Sequence, residues 1–421
     1  MTRSASLAAA AYLATTLALT WPLAAWLVNG VAGDWQTSLH GVWAMATVSQ
    51  KLTNVLTGRW ATVATFWDAN IFYPAPKALL YSEHLTGPSL LTLPIWWITG
   101  NGLLIFSVAV IASGVLTGLG TFLLTRAHTG GFAAPFATGL LGSFATAWLS
   151  RDHFALLSVQ WLPFALLAWH RYAGSGTWLW LALTIICAWL HNASSTRYLW
   201  ISIAILLAFA VADLAAQRRM RQIDRWLGLA IAVPAVALLS APFILPAAEL
   251  ERQSVVQALL PAADSKRAGA SQPLFDGPRL QPPPAYLQPM ATPPPIYRAV
   301  ASLASDAVLV EIPFGDATYE RRYMFFSTLH HRRLMNGYGD TLPPSYLARV
   351  RVLANPLLDP EQSVRAIGGA THVIVHGRAW SDDTGVRIAR WLESIGAHVL
   401  PTSGDALLYQ IEAPERFASR Q

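Results

Sequence analysis

The sequence predicts a polytopic α-helical membrane protein with a small α/β domain at its C-terminal end. Three observations carry that prediction. Of 421 residues, 54% are hydrophobic and only 12% are charged, about half the charge of an ordinary globular chain. Mean hydropathy is +0.39, and the apolar excess lies almost wholly before residue 250. The 18 tryptophans far exceed ordinary usage, and Trp concentrates where one ring edge is wet and the other dry, as at a membrane interface. The same composition excludes a disordered chain and argues against a single water-soluble globule. One cysteine, Cys187, sits in an apolar run, which excludes a disulfide framework and any Cys-based metal site. The net charge of +6 and pI near 9.6 do not point to nucleic acid, because the basic residues do not gather on one soluble face.

A membrane helix needs about 20 mostly apolar residues whose backbone groups are satisfied internally. About seven stretches are read as spans: residues 7–28, 103–124, 132–149, 154–169, 178–190, 198–214 and 226–247. Residues 87–98 are also apolar but short, and they hold Pro88, Pro94 and Trp96-Trp97. They read as an interfacial helix on the outer surface. With the N-terminus inside, the cytoplasmic loops hold Arg3, Arg126, Arg171 and the run Arg218, Arg219, Arg221, Arg225, as the positive-inside bias requires. The opposite face takes a long first loop, residues 29–102, and two short turns at 150–153 and 191–197. The N-terminal run reads as an uncleaved helix rather than a signal peptide, because Trp21, Pro22 and Trp26 interrupt any small-residue cleavage site. An odd number of spans delivers the C-terminal part to the outside, placing the protein in a bacterial inner membrane.

Residues 1–250 thus form the membrane domain. Residues 251–297 are rich in Pro, with triplets at Pro282–Pro284 and Pro293–Pro295, and read as a semi-rigid extended linker. Residues 298–421 alternate strands and helices, as a small α/β extracytoplasmic domain does. Strands are expected at 306–313, 372–376 and 407–411, and helices at 319–330, after Asp359-Pro360-Glu361, and at 382–395, closed by Gly396. His330-His331-Arg332-Arg333 reads as an exposed basic loop. Neither GxGxxG nor GxxxxGK[ST] occurs.

Ionisable residues at the mouths of membrane helices are where such a protein keeps its chemistry. On the outer face these are Asp34, Asp68, Glu83 and His84, the run Arg151-Asp152-His153, and Arg197 near His191. Separate carboxylates over a membrane pocket suit a displacement in which a lipid-linked phosphate leaves: one takes the proton of an acceptor hydroxyl. Others, with a His, can hold a divalent cation such as Mg or Mn against the departing phosphate. The planar fork of Arg151 or Arg197 can do the same without metal. Each also has a plainer use: Asp34 as a cap for the helix that follows, Asp68 as a turn residue, Arg151-Asp152 as a surface ion pair.

A span, a long outer loop opening with Gly33-Asp34, an interfacial helix and a run of helices together resemble the GT-C superfamily of polyprenyl-phosphate-sugar-dependent glycosyltransferases. FWDANIFYP (66–74), YSEHL (81–85), QWLP (160–163), FSTLHHRRLMNGY (326–338) and THVIVH (371–376) are similar to a bacterial multipass group related to GT-C. The resemblance implies transfer of a sugar from a polyprenyl-phosphate donor to an outer-face acceptor. It implies Asp34 as the catalytic base or acceptor-positioning carboxylate and Asp152 as a second acidic residue, and it carries Glu83 and His84 over as motif members without a role. The residues themselves make Asp152 and Glu83 the metal-binding candidates. Asp68, Glu83, His84, Arg151, Asp152, His153 and Arg197 are the substrate-binding candidates. Partners would be the lipid-linked sugar and the bilayer. Such proteins usually carry further spans before the outer domain, so the alternative is a non-catalytic relative, an envelope scaffold or a glycan- or protein-binding membrane protein.

Overall fold

The computed structural model describes residues 3–31, 35–150, 153–194, 199–259, 277–282 and 293–411. The chain divides into two compact units. A helical unit takes residues 1–34, 44–56 and 83–250, and an α/β unit takes 35–43, 57–82 and 251–421. The first ten helices in chain order are α1 (Arg3–Leu19), α2 (Trp35–Leu56), the single turn α3 (Ala61–Ala64), α4 (Thr86–Thr99), α5 (Gly102–Thr129), α6 (Ala133–Leu149), α7 (Trp161–Ser175), α8 (Trp178–Asn192), α9 (Leu199–Ala216) and α10 (Ile223–Leu259).

Among the described residues, three helices are long and apolar enough to cross a membrane: α5, α9 and, in α10, residues 223–252. The remaining predicted spans are shorter, for local reasons. The first stops at Leu19, because Pro22 follows and neither it nor the residue before it favours helix. The stretch 154–169 divides into a 3-10 turn, Phe154–Ser158, and α7. α6 and α8 have only 17 and 15 residues. The apolar run after Glu83 forms α4, whose 14 residues, about 21 Å long, fall short of a bilayer. α10 runs through residues 251–259 of the stretch read as linker.

Small residues let the helices of this unit approach closely, as membrane helices do. Tyr12 of α1 lies between Gly118 of α5 and Gly139 of α6, and a Cβ on Gly118 would stand 2.9 Å from its ring. Its hydroxyl donates to Phe136 O at 3.1 Å. The hydroxyls of Thr16 and Ser143 meet at 3.1 Å. A second core joins Trp169, Tyr172, Leu181, Ala210, Leu214 and Leu229 of α7 to α10.

The α/β unit is built on a five-stranded sheet in the order β2-β1-β3-β5-β4. Its strands are β1 (Val308–Ile312), β2 (Arg333–Leu334), β3 (His372–His376), β4 (Ala397–Leu400) and β5 (Ala406–Ile411). β1 pairs parallel with β2 and β3, while β5 pairs antiparallel with β3 and β4. β1 is buried along its whole length, and its run is apolar except for Glu311. The helices are α11 (Pro295–Ala301), α12 (Ala317–His330), α13 (Pro344–Leu353), α14 (Pro360–Ala366) and α15 (Thr384–Ser394). The cap at Asp359 that the sequence marks is formed, accepting from the Gln362 amide, and Asp316 caps α12, which begins two residues before its expected start, accepting from the amides of Thr318 and Tyr319. Gly396 takes φ +87° just past α15.

Two features of this unit differ from the sequence reading. Residues 57–82, read as part of an outer loop of the membrane domain, belong to the α/β unit. Asn70 O accepts from Leu334 N at 2.7 Å, Phe72 N donates to Asn336 O at 2.9 Å and Tyr73 N to Leu334 O at 3.0 Å, which extends the sheet edge beside β2. The second is His330. Instead of standing in an exposed basic loop it is buried, its Nδ1 accepting from Arg332 N and its ring stacked parallel to Tyr297.

Candidate functional site

Of the candidate residues, Asp34, Arg151, Asp152 and Arg197 lie outside the described residues. Asp68 belongs to the α/β unit, where it is exposed and its carboxylate accepts from Lys77 N at 2.8 Å. The bond ties Asp68 to the backbone of the loop nine residues on. Glu83, His84 and His153 belong to the helical unit. Glu83 is half-buried and His153 exposed.

His84 is held tightly. Its Nδ1 lies 2.9 Å from Thr86 Oγ1, and its ring stacks on Phe243 at 5.0 Å. Burial pushes its pKa down to about 3, so the imidazole is neutral at ordinary pH. A neutral ring can accept a hydrogen bond or ligate a metal, but it brings no positive charge to a phosphate.

The chain on either side of the candidates converges at one end of the helical unit. Leu85 N donates to Ser194 O at 3.3 Å and Gly87 N to Ala193 O at 2.5 Å. The hydroxyls of Ser158 and Ser194 meet at 2.5 Å, and His191 Nδ1 faces Ser158 O at 3.2 Å. The approach needs glycine: a Cβ on Gly87 would stand 2.6 Å from Ser158 Oγ and 2.9 Å from Leu190 O. Ser107 near the start of α5 donates to Gly30 O at 3.4 Å, and Phe106 meets Phe154 edge-on. The segments next to Asp34, Glu83-His84, Arg151-Asp152 and Arg197 therefore share the end of the unit where α5 begins.

That end also holds buried polar groups that sequence reasoning passed over. Gln160, in QWLP, is fully buried, and neither end of its amide finds a partner among the described residues. Ser150 Oγ is in the same condition. Unpaired buried groups of this kind are uncommon and mark places where water or a ligand is expected. The motif was the available signal for Gln160.

The α/β unit has a cavity of about 470 Å³, lined among others by Tyr297, Tyr319, Arg322, Tyr323, His376 and Arg378. Behind it lies Glu311, fully buried in β1, whose Oε2 takes Tyr297 Oη at 3.0 Å and His376 Nε2 at 2.7 Å. Nearby in the same unit, Glu320 accepts from Gly315 N, Asn336 Nδ2 and Gly337 N at 2.7, 3.0 and 2.7 Å. Burial nonetheless lifts its pKa to about 8, against those hydrogen bonds.

A further polar cluster, absent from the sequence reading, stands at the opposite end of α5: His128, His170 and Asp213. Its one signal in the sequence is that Asp213 is the only charged residue of apolar α9. No family model matches the chain, and neither does any curated protein.

Proposed function

We propose that the protein is a membrane glycosyltransferase of GT-C type that moves a sugar from a polyprenyl-phosphate donor to an acceptor on the outer face of a bacterial inner membrane. The observation that carries this reading is the convergence at one end of the helical unit. Segments flanking the candidate base, acids and arginines meet there, and Gln160 and Ser150 in the same segments are buried without side-chain partners among the described residues. In this scheme Asp34 takes the proton of the acceptor hydroxyl. Arg151 and Arg197 neutralise the departing lipid phosphate, and Gln160 hydrogen-bonds the sugar.

Asp152 and Glu83 are the residues that would hold Mg or Mn. Glu83 stands beside the neutral His84 at this end, and both ions favour oxygen donors. The fit therefore depends on Asp152, and the reaction scheme needs only the arginines. The test is envelope glycan composition in a strain carrying Asp34→Asn or Gln160→Ala in place of the native gene. Loss of one glycan substituent, with the protein still accumulating in the membrane, is expected. Unchanged glycans in both strains would sink the assignment.

A second reading rests on the cavity of the α/β unit. Three tyrosines beside arginines and a histidine suit the stacking and hydrogen bonding of a sugar ring, so a non-catalytic relative would bind glycan there. Under that reading Tyr319→Ala, not Asp34→Asn, abolishes the phenotype.

A further inference from the structure

The cluster at the far end of α5 has the chemistry of a metal site. His128 stands in the last turn of α5, His170 in α7 and Asp213 near the end of α9. One donor atom from each lies within 4.8 Å of the other two. Asp213 is the one buried carboxylate among the described residues of the helical unit, its side chain 1% exposed.

Hydrogen bonding fixes which atoms face the centre. His128 Nδ1 lies 3.0 Å from Leu124 O. A carbonyl only accepts, so Nδ1 carries the proton and a neutral ring points the Nε2 lone pair the other way. That lone pair meets Asp213 Oδ1 at 3.4 Å. Two lone pairs facing one another repel unless a cation lies between them. On the other side of the same oxygen, His170 Nδ1 stands at 2.8 Å. The Gln217 amide nitrogen holds the second carboxylate oxygen, Oδ2, at 2.8 Å and His170 O at 3.2 Å, and stands 3.1 Å from His170 Nδ1, a contact that a metal on Nδ1 would replace. These are the outer contacts by which metal ligands are oriented: an imidazole N–H on a backbone carbonyl, and a carboxylate held by an amide.

Two of the three edges lie near the spacing around a small ion, and the third is within 4.8 Å. Metal–nitrogen and metal–oxygen bonds of about 2.0–2.1 Å in tetrahedral geometry separate neighbouring donors by about 3.3 Å. The His128–Asp213 edge is already 3.4 Å, and the His170–Asp213 edge of 2.8 Å needs to open by about half an ångström. Two imidazoles and one carboxylate suit zinc and its transition-metal neighbours rather than Mg or Ca. His128 is 36% exposed, so one side of the cluster is open to solvent for entry and for a fourth, non-protein ligand.

We propose that His128 Nε2, His170 Nδ1 and Asp213 Oδ1 bind one divalent transition-metal ion of the zinc class, at the end of the helical unit remote from the candidate sugar-transfer site. A metal there clamps α5, α7 and α9 together. The rival is a proton shared by the same three groups, a purely structural ion pair.

The test uses the full chain, free of any polyhistidine tag, purified in detergent, stripped with chelator and titrated with Co(II). One Co(II) per chain is expected, with visible absorption from the bound ion, displaced by equimolar Zn(II) and not by excess Mg(II). Asp213→Asn and His128→Ala should each weaken binding tenfold or more while the protein elutes as a single species. His128 is partly exposed, so its replacement carries the test if the Asp213 variant does not fold. Absence of Co(II) binding, binding unchanged in the folded variants, or ready displacement by Mg(II) would overturn the assignment.

Discussion

The two ends of α5 are built on different principles. Where the helix begins, the structure is locked by shape: main-chain hydrogen bonds from Leu85 and Gly87, a serine pair, and a glycine that no side chain can replace. Buried polar groups there, Gln160 and Ser150, are left without partners among the described residues. Where it ends, the structure is locked by charge: one buried carboxylate is shared by two imidazoles and an amide. The first end keeps polar groups in reserve, as a substrate site does. The second uses all of its polar groups on one another or on an ion. In an apolar unit, the two ends differ in where hydrogen-bonding capacity remains unspent.

The comparison can be broken first at Gly87. Gly87→Val drives a side chain into Ser158 and the Leu190 carbonyl, and we expect a loss of about 3 kcal/mol, the upper range for overpacking, read as a large fall in thermal midpoint of the full chain in detergent. Gly100→Ala, at a position with open space around it but φ +59°, should cost far less.

Buried charge gives the next effect, and the α/β unit supplies the reference. An unfolded Glu loses its proton near 4.5, whereas folded Glu320 keeps it to about 8. The folded state binds the extra proton across that window, so this residue's contribution to stability is full below pH 4.5 and is lost as pH rises to 8. The total is on the order of a few kcal/mol. Thermal unfolding at pH 5, 6.5 and 8 should show the decline in the native chain, and Glu320→Gln should flatten it.

At the charged end, Asp213→Ala leaves two imidazoles 4.3 Å apart without their shared acceptor. A cost of about 2 kcal/mol is expected, below that of a fully buried pair because His128 and His170 are partly exposed. Added Zn(II) should raise the midpoint of the native chain and leave that of the variant unchanged. The smallest effect is at Asp68. Losing one exposed hydrogen bond to Lys77 N should cost about 0.5 kcal/mol in Asp68→Ala. Asp68→Asn keeps an acceptor and should match the native chain in stability and in glycan phenotype, which would remove this residue from the substrate-binding set.

Much of the α/β unit was legible in the sequence because its signals are local: the apolar runs of β1 and β3, the cap Asp359, and the glycine after α15. Its recruitment of residues 57–82 was not, because pairing between Asn70–Tyr73 and Leu334–Asn336 spans more than half the chain and leaves no periodicity. Apolarity alone does not give helix length, since Pro22 and the turn at Phe154–Ser158 shorten helices without changing composition. The candidate site was legible as motifs next to helix mouths, while their meeting depends on close approach at Gly87. His128, His170 and Asp213 stand on three helices, each unremarkable in its own sequence; only the lone acid in α9 hints at them.

The central claim is that these two ends face opposite sides of a membrane. Single cysteines at His153 and Met220, both exposed, introduced with Cys187→Ser and probed in intact cells with a membrane-impermeant maleimide, test it most directly. We predict labelling of the His153→Cys protein from outside, and labelling of the Met220→Cys protein only after the cells are opened. Equal labelling of both in intact cells, or the reverse pattern, would contradict the account.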